Sequence, residues 1–226
     1  MAATAWQLPK AAVFVDAENH ADLDVSALTQ RLAGFDVLER HAYADQRNWQ
    51  LGHLLRRLKC RGFKVHHTWS GPRPGMRKNT ADGHMARGIT RVLSKCPEVE
   101  VVVIVSGDAF FADVARRLQE HGRRVVVAAA PLRTSKELRR TADEYMMLGR
   151  LERSIRRLHC LELTSRYVTF GFAVRELDIA PSFLADLIRR GLVIQRGVPR
   201  SGRGPRAEIH LNHQAYAVQT VLELAA

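Results

Sequence analysis

The chain has 226 residues, and 35 Lys and Arg stand against 23 Asp and Glu for a formal net charge of +12. That length predicts one domain with a small second one, and an apolar share of 46% excludes wholesale disorder. No apolar run reaches the ~20 residues of a membrane span, Met1 to Pro9 lacks the basic and apolar regions of a secretory signal, and three scattered cysteines fit a reducing cytoplasm better than a disulfide or zinc framework.

Residues 11–15 (AAVFV) are a short apolar run that ends at Asp16 and reads as a buried strand. Residues 25–33 have helical spacing in Val25, Leu28 and Leu32. Residues 36–43 read as a second strand, 48–60 as a helix with Leu51, Leu54, Leu55 and Leu58 on one face, and 64–70 as a third strand. Gly71-Pro-Arg-Pro-Gly75 is a loop. Residues 80–94 follow as a helix on Met85, Ile89, Val92 and Leu93. The β-branched run 99–105 suits a central parallel strand. A helix over 109–121 closes at Gly122, and a fifth strand covers 124–130. Residues 135–148 read as a helix with Leu138, Ala142, Tyr145 and Leu148 on its apolar face.

Strands alternating with helices predict an α/β domain over 10–148: a Rossmann-like parallel sheet with helices on both faces. Such a sheet places its site at the C-terminal ends of its strands. Residues 149–164 continue helically as a connector. Residues 165–226 form a small winged-helix-like domain by pattern, with helices over 174–177 and 183–190. Strands over 192–195 and 208–211 pair around the basic segment 196–206, which reads as a flexible wing.

Three acids fall where this fold gathers side chains. Asp16 ends the first strand, Asp108 follows the fourth in Ser106-Gly-Asp108, and Asp82 opens the helix after the Gly-Pro loop. Asn19 stands three residues beyond Asp16. Hard divalent cations take oxygen ligands, and Mg²⁺ binds through a few carboxylates plus water and substrate phosphate. Read singly, each acid has a plainer role, as a helix cap or a first-turn acid. The segment after the first strand lacks GxGxxG, and no GxxxxGK[ST] occurs. His66 and His67 read as side chains turned to core or solvent, and Cys60, Cys96 and Cys160 as buried fillers.

Val13-Phe-Val-Asp-Ala-Glu-Asn19, Ala81-Asp82, Ser106-Gly-Asp108 and Ser135-x-x-Leu138-x-x-x-Ala142-Asp143 resemble an NYN domain, a branch of the PIN-like ribonuclease superfamily. The resemblance implies a metal-dependent endoribonuclease that hydrolyses single-stranded RNA with a metal-activated water. Asp16, Asp82 and Asp108 would hold one Mg²⁺ or Mn²⁺, and Asn19 would orient a ligand or the scissile phosphate. Ser106 would shape the loop. Two positions depart from the family pattern: Gly88 and Phe110 stand where further acids are common. Asp113 is one more candidate to face the pocket.

Arg77 and Lys78, before Asp82, would meet the RNA backbone, and Arg196, Arg200, Arg203 and Arg206 would extend that path. Two other readings stay open. Gly88 and Phe110 favour a catalytically weak or inactive RNA-binding regulator of the same fold. A DNA-binding regulator would use helix 182–190, yet that helix carries Arg189 and Arg190 only at its end, which suits base readout poorly. The expected partner is single-stranded RNA in the cytoplasm, with no membrane and with a homodimer left open.

Overall fold

The computed structural model describes residues 7–21, 23–68, 80–130, 133–200 and 203–223. The chain divides into two compact units, Met1–Gly149 and Arg150–Ala226.

The first unit is built on six strands: β1 (Lys10–Asp16), β2 (Asp36–Ala44), β3 (Lys64–His67), β4 (Val101–Val105), β5 (Arg124–Ala129) and β6 (Glu144–Met147). All pair in parallel, in the order β3-β2-β1-β4-β5-β6. Among the described residues five α-helices connect them: α1 (Val25–Arg31), α2 (Gly52–Cys60), α3 (Thr80–Lys95), α4 (Phe110–Glu120) and α5 (Lys136–Thr141). The strand pleat divides the core between two faces. Ala11, Val13 and Val15 pack with Leu28, Leu54 and Leu58 of α1 and α2. Ala12 and Phe14 pack with Met85 and Ile89 of α3, Phe111 and Ala115 of α4, and Leu138 of α5. All five residues of β4 are buried, as covering on both faces requires. Each such Val or Ile side chain contributes about 1.5–3 kcal/mol of burial before entropy is charged. The order reverses between β1 and β4, which opens a crevice at their C-terminal ends.

The helix predicted over 135–148 is an error at its second half. α5 stops at Thr141, and Ala142 turns extended (ψ 141°). Residues 144–147 then pair with β5 as the sixth strand. Asp143 makes the turn: its N–H donates to Val125 O at 3.0 Å, and its Oδ2 accepts the Val125 N–H at 2.7 Å. Without β6 the groups along the outer edge of β5 would lack partners. Ser135 caps α5 by accepting the Leu138 N–H. The Ser135, Leu138 and Asp143 motif positions therefore act here through structure.

The cysteines also differ from expectation: Cys60 and Cys160 are exposed and Cys96 is half-buried. Leu54, Leu55 and Leu58 define the buried stripe of α2, and two residues further on Cys60 falls on the other side.

The second unit comprises α6 (Arg150–Thr164), α7 (Phe170–Leu177), α8 (Pro181–Arg189), β7 (Val193–Arg200), β8 (Arg203–Leu211) and α9 (Tyr216–Glu223). The 149–164 segment, expected as a connector, is the first helix of this unit and buries Ile155 and Leu158. Strands β7 and β8 pair antiparallel from Val193↔Leu211 to Arg200↔Arg203. The basic segment thus continues the ladder on both sides of residues 201–202 instead of forming a loop from 196. Helix α9, with Val218 and Val221 buried, is not among the elements expected from sequence. None of the described helices is long and apolar enough to cross a membrane.

Candidate active site

The switch in strand order sets the ends of β1 and β4 side by side. Asp16 closes β1 and is 3% exposed. Its carboxyl accepts from three groups. Asn19 Nδ2 donates to Oδ2 at 2.6 Å and the Asn19 N–H to Oδ1 at 3.3 Å. Ser106 Oγ donates to Oδ2 at 3.0 Å. Asn19 is exposed at its turn, and its amide is directed back onto Asp16.

Ser106 also fixes the next acid, because the Asp108 N–H donates to its Oγ at 3.2 Å. Asp108 Oδ1 accepts the Phe110 N–H at 2.8 Å at the entry to α4. The glycine between them has a steric cause. A Cβ on Gly107 would stand 2.3 Å from the Arg133 carbonyl oxygen, and Gly107 O accepts the Ser135 N–H at 2.9 Å. Only glycine lets that segment lie against the strand end.

Asp82 reaches the same region from the first turn of α3. Burial, and then the charges of Asp16, Asp108 and Glu18 in that order, push its carboxyl up to about 6. The coupling brings together all three sequence-predicted acids and adds a fourth. Glu18 is half-buried, and its Oε1 accepts the Asp45 N–H at 2.8 Å and the Thr68 hydroxyl at 2.9 Å. Sequence reasoning missed it, although it stands inside the Asp16-Ala-Glu-Asn19 segment. Among the described residues, no three of these acids draw carboxyl oxygens within 4.8 Å of one another.

The oxygen-only donor set and the repulsion felt by Asp82 fit a hard divalent cation, whose binding relieves that repulsion. The open spacing suits an ion that keeps part of its water shell.

The remaining candidates distribute unevenly. Asp113 points elsewhere: it is exposed and pairs with Arg116. Arg77 and Lys78 lie outside the described residues. Arg196 is exposed on β7, and Arg200, Arg203 and Arg206 lie on the hairpin strands. Gly88, where a further acid is common, faces Tyr43: a Cβ there would stand 1.8 Å from Tyr43 Oη. Tyr43, His41, His66, His84, Arg87 and Arg91 line a cavity of about 350 Å³ beside α3. The His66 ring stacks on Tyr43 at 4.8 Å, and His41 Nδ1 lies 2.8 Å from His66 Nε2. Burial lowers the pKa of both imidazoles, with His66 adding to the shift at His41 and Lys64 and Arg91 to that at His66.

A sequence model of the NYN domain matches residues 10–149. The chain belongs to the NYN domain family. NYN domains are PIN-like nucleases, a class that generally uses divalent metals. Curated proteins include none that matches this chain. Among solved structures, a protein of unknown function from Vibrio parahaemolyticus is 24% identical with a TM-score of 0.52, over 65% of this chain and 97% of that one. The likeness supports the fold alone. The Aeropyrum pernix ORC1 protein in complex with DNA aligns at 11% identity over 96% of this chain and 86% of that one. Its TM-score of 0.23 carries no argument.

Proposed function

We propose that this NYN protein is a divalent-metal-dependent endoribonuclease that hydrolyses single-stranded RNA. One observation carries the reading: Asp16, Asp82, Asp108 and Glu18 gather at the β1–β4 switch point closely enough to raise the Asp82 carboxyl to about 6. Asp16, Asp82 and Asp108 are the residues that would hold Mg²⁺ or Mn²⁺. When bound, the ion supplies a nucleophile at neutral pH and stabilises charge that develops on the phosphate. Asn19 and Ser106 hold the Asp16 carboxyl in one orientation through their hydrogen bonds. Glu18 locks the turn after β1 against the residues that follow β2 and β3.

Single-stranded RNA is supported by the arginine-lined cavity on α3, the helix that also carries Asp82. Arg87 and Arg91 suit phosphate, and the exposed His84 imidazole in the same lining offers a face for a base. Arg77 and Lys78 are proposed to contact the backbone near the acids. The hairpin Arg196, Arg200, Arg203 and Arg206 are proposed as a second RNA contact on a winged-helix-like unit, with the protein acting in the cytoplasm.

The test is cleavage of single-stranded RNA with Mn²⁺, with Mg²⁺ and with chelator, for wild type, Asp16→Asn and Asp108→Asn. An amide lacks the charge that holds the ion, so both variants should lose metal-dependent cleavage while their circular dichroism stays native. RNA binding by wild type with no cleavage under either metal would replace the enzyme with an RNA-binding regulator. Equal activity in all three proteins would trace the cleavage to a contaminant.

A further inference from the structure

We propose that His159, Glu162 and His213 form a binding site for a zinc-class divalent transition metal in the C-terminal unit, independent of the acids in the first unit. Among the described residues this is the one trio of His, Cys, Asp or Glu whose ligand atoms all lie within 4.8 Å of one another.

The chain builds the trio from two segments. His159 and Glu162 are three residues apart on α6 and so share a face. His213 comes from the turn between β8 and α9, where its N–H donates to Leu211 O. Glu162 is the pivot. Its Oε1 accepts the Leu211 N–H at 2.6 Å, which fixes the carboxylate. Its Oε2 then lies 3.5 Å from His213 Nε2 and 3.9 Å from His159 Nδ1. Neither distance is a hydrogen bond. Both are close to the edge of a tetrahedron of ligands around zinc, about 3.3 Å for arms of about 2.05 Å.

His159 supplies a second, independent sign. Its Nδ1 is buried and has no hydrogen-bond partner among the described residues. A buried polar atom without a partner forfeits the hydrogen bonds it makes with water. A metal ligated at Nδ1 removes that cost. The backbone bond to Glu162 is the kind of outer contact that orients a metal-binding carboxylate. Two imidazoles and one carboxylate suit zinc better than Mg²⁺, which prefers oxygen alone. His210 Nδ1 stands 3.7 Å from Glu162 Oε1 and is the nearest candidate for a further ligand. Such a metal would pin α6 to the end of the hairpin and the start of α9.

The experiment uses the full-length chain, stripped with chelator and then titrated with Zn²⁺ and, separately, Co²⁺. Wild type should take up one Zn²⁺ per chain, show the intense visible absorption of tetrahedral Co²⁺, and melt at a higher temperature with zinc. His213 is 52% exposed at its side chain, so His213→Ala should fold normally and bind zinc more than about tenfold more weakly. The double variant His159→Ala with His213→Ala should lose the stoichiometric site. Asp16→Asn with Asp108→Asn should keep it, and excess Mg²⁺ should not displace the zinc. Wild type and the histidine double variant binding zinc alike would overturn the proposal, as would loss of the zinc in the aspartate variant. Because the readouts are metal content, absorption and melting, failure of the nuclease reading would leave this site untouched.

Discussion

Ser106 Oγ donates to Asp16 Oδ2 at 3.0 Å across 90 residues of sequence, and this bond joins the ends of the two central strands. Both residues are buried, so no water replaces the hydroxyl when it is removed. Ser106→Ala should therefore destabilise the protein by roughly 1–3 kcal/mol, visible as a lower urea midpoint. Ser106→Thr keeps the hydroxyl and should recover part of the loss. A midpoint for Ser106→Ala equal to wild type would show that the bond does not tie the strands.

Asp82 gives a pH signature. Its carboxyl stands near 6 in the folded protein against an ordinary 3.8. The folded state binds the proton more tightly, so the group favours folding below about pH 4. That contribution is lost as pH rises through 6. Metal-free wild type should weaken across this window by of order 1 kcal/mol, discounted because the group is partly solvated. Asp82→Asn should remove that component of the slope. Divalent metal competes with the same proton, so its apparent affinity should climb between pH 5 and 7. Identical stability profiles for wild type and Asp82→Asn would refute the coupling.

The legible parts of the fold were those with strong local periodicity. The β-branched run ending at Val105 and the Leu54, Leu55 and Leu58 stripe found their places because burial on a strand or a helix face writes itself into neighbouring residues. The 135–148 segment misled for the same reason. Leu138, Ala142, Tyr145 and Leu148 have helical spacing, and the open edge of β5 overrides it. Asp16, Asp82 and Asp108 were readable because each follows a strand or opens a helix at the expected side of the sheet. Glu18 was not, since its place depends on Asp45 and Thr68, which are 27 and 50 residues away.

Gly88 and Tyr43 form a complementary pair that no local pattern discloses. A Cβ at 88 would lie 1.8 Å from Tyr43 Oη and 2.8 Å from Cζ, so even alanine requires the ring to move. Tyr43 is 5% exposed and packs in the core, so that movement is costly. Gly88→Ala should destabilise by roughly 1–3 kcal/mol, as overpacking does. Tyr43→Phe should relieve much of it, because the closest atom, Oη, is gone, while the tighter-than-normal contact with Cζ at 2.8 Å keeps part of the cost. Tyr43→Ala opens a cavity of its own, yet Gly88→Ala added to it should cost far less than in wild type. A double-mutant cycle with additive effects would show that the two residues do not share this space.

The hairpin arginines supply the last expectation. Arg196, Arg200, Arg203 and Arg206 place four basic residues of the sequence on strands β7 and β8. A phosphate chain supplies anions at regular intervals along such a basic segment. Because phosphate contacts carry no base information, Arg200, Arg203 and Arg206 changed together to Ala should weaken RNA binding about equally for different sequences. The slope of log affinity against log salt should also flatten, by about 0.7 for each single-strand phosphate that the variant no longer neutralises. Titrations of wild type and triple variant at three salt concentrations decide the matter: parallel slopes and equal affinities would leave the hairpin with no part in RNA binding.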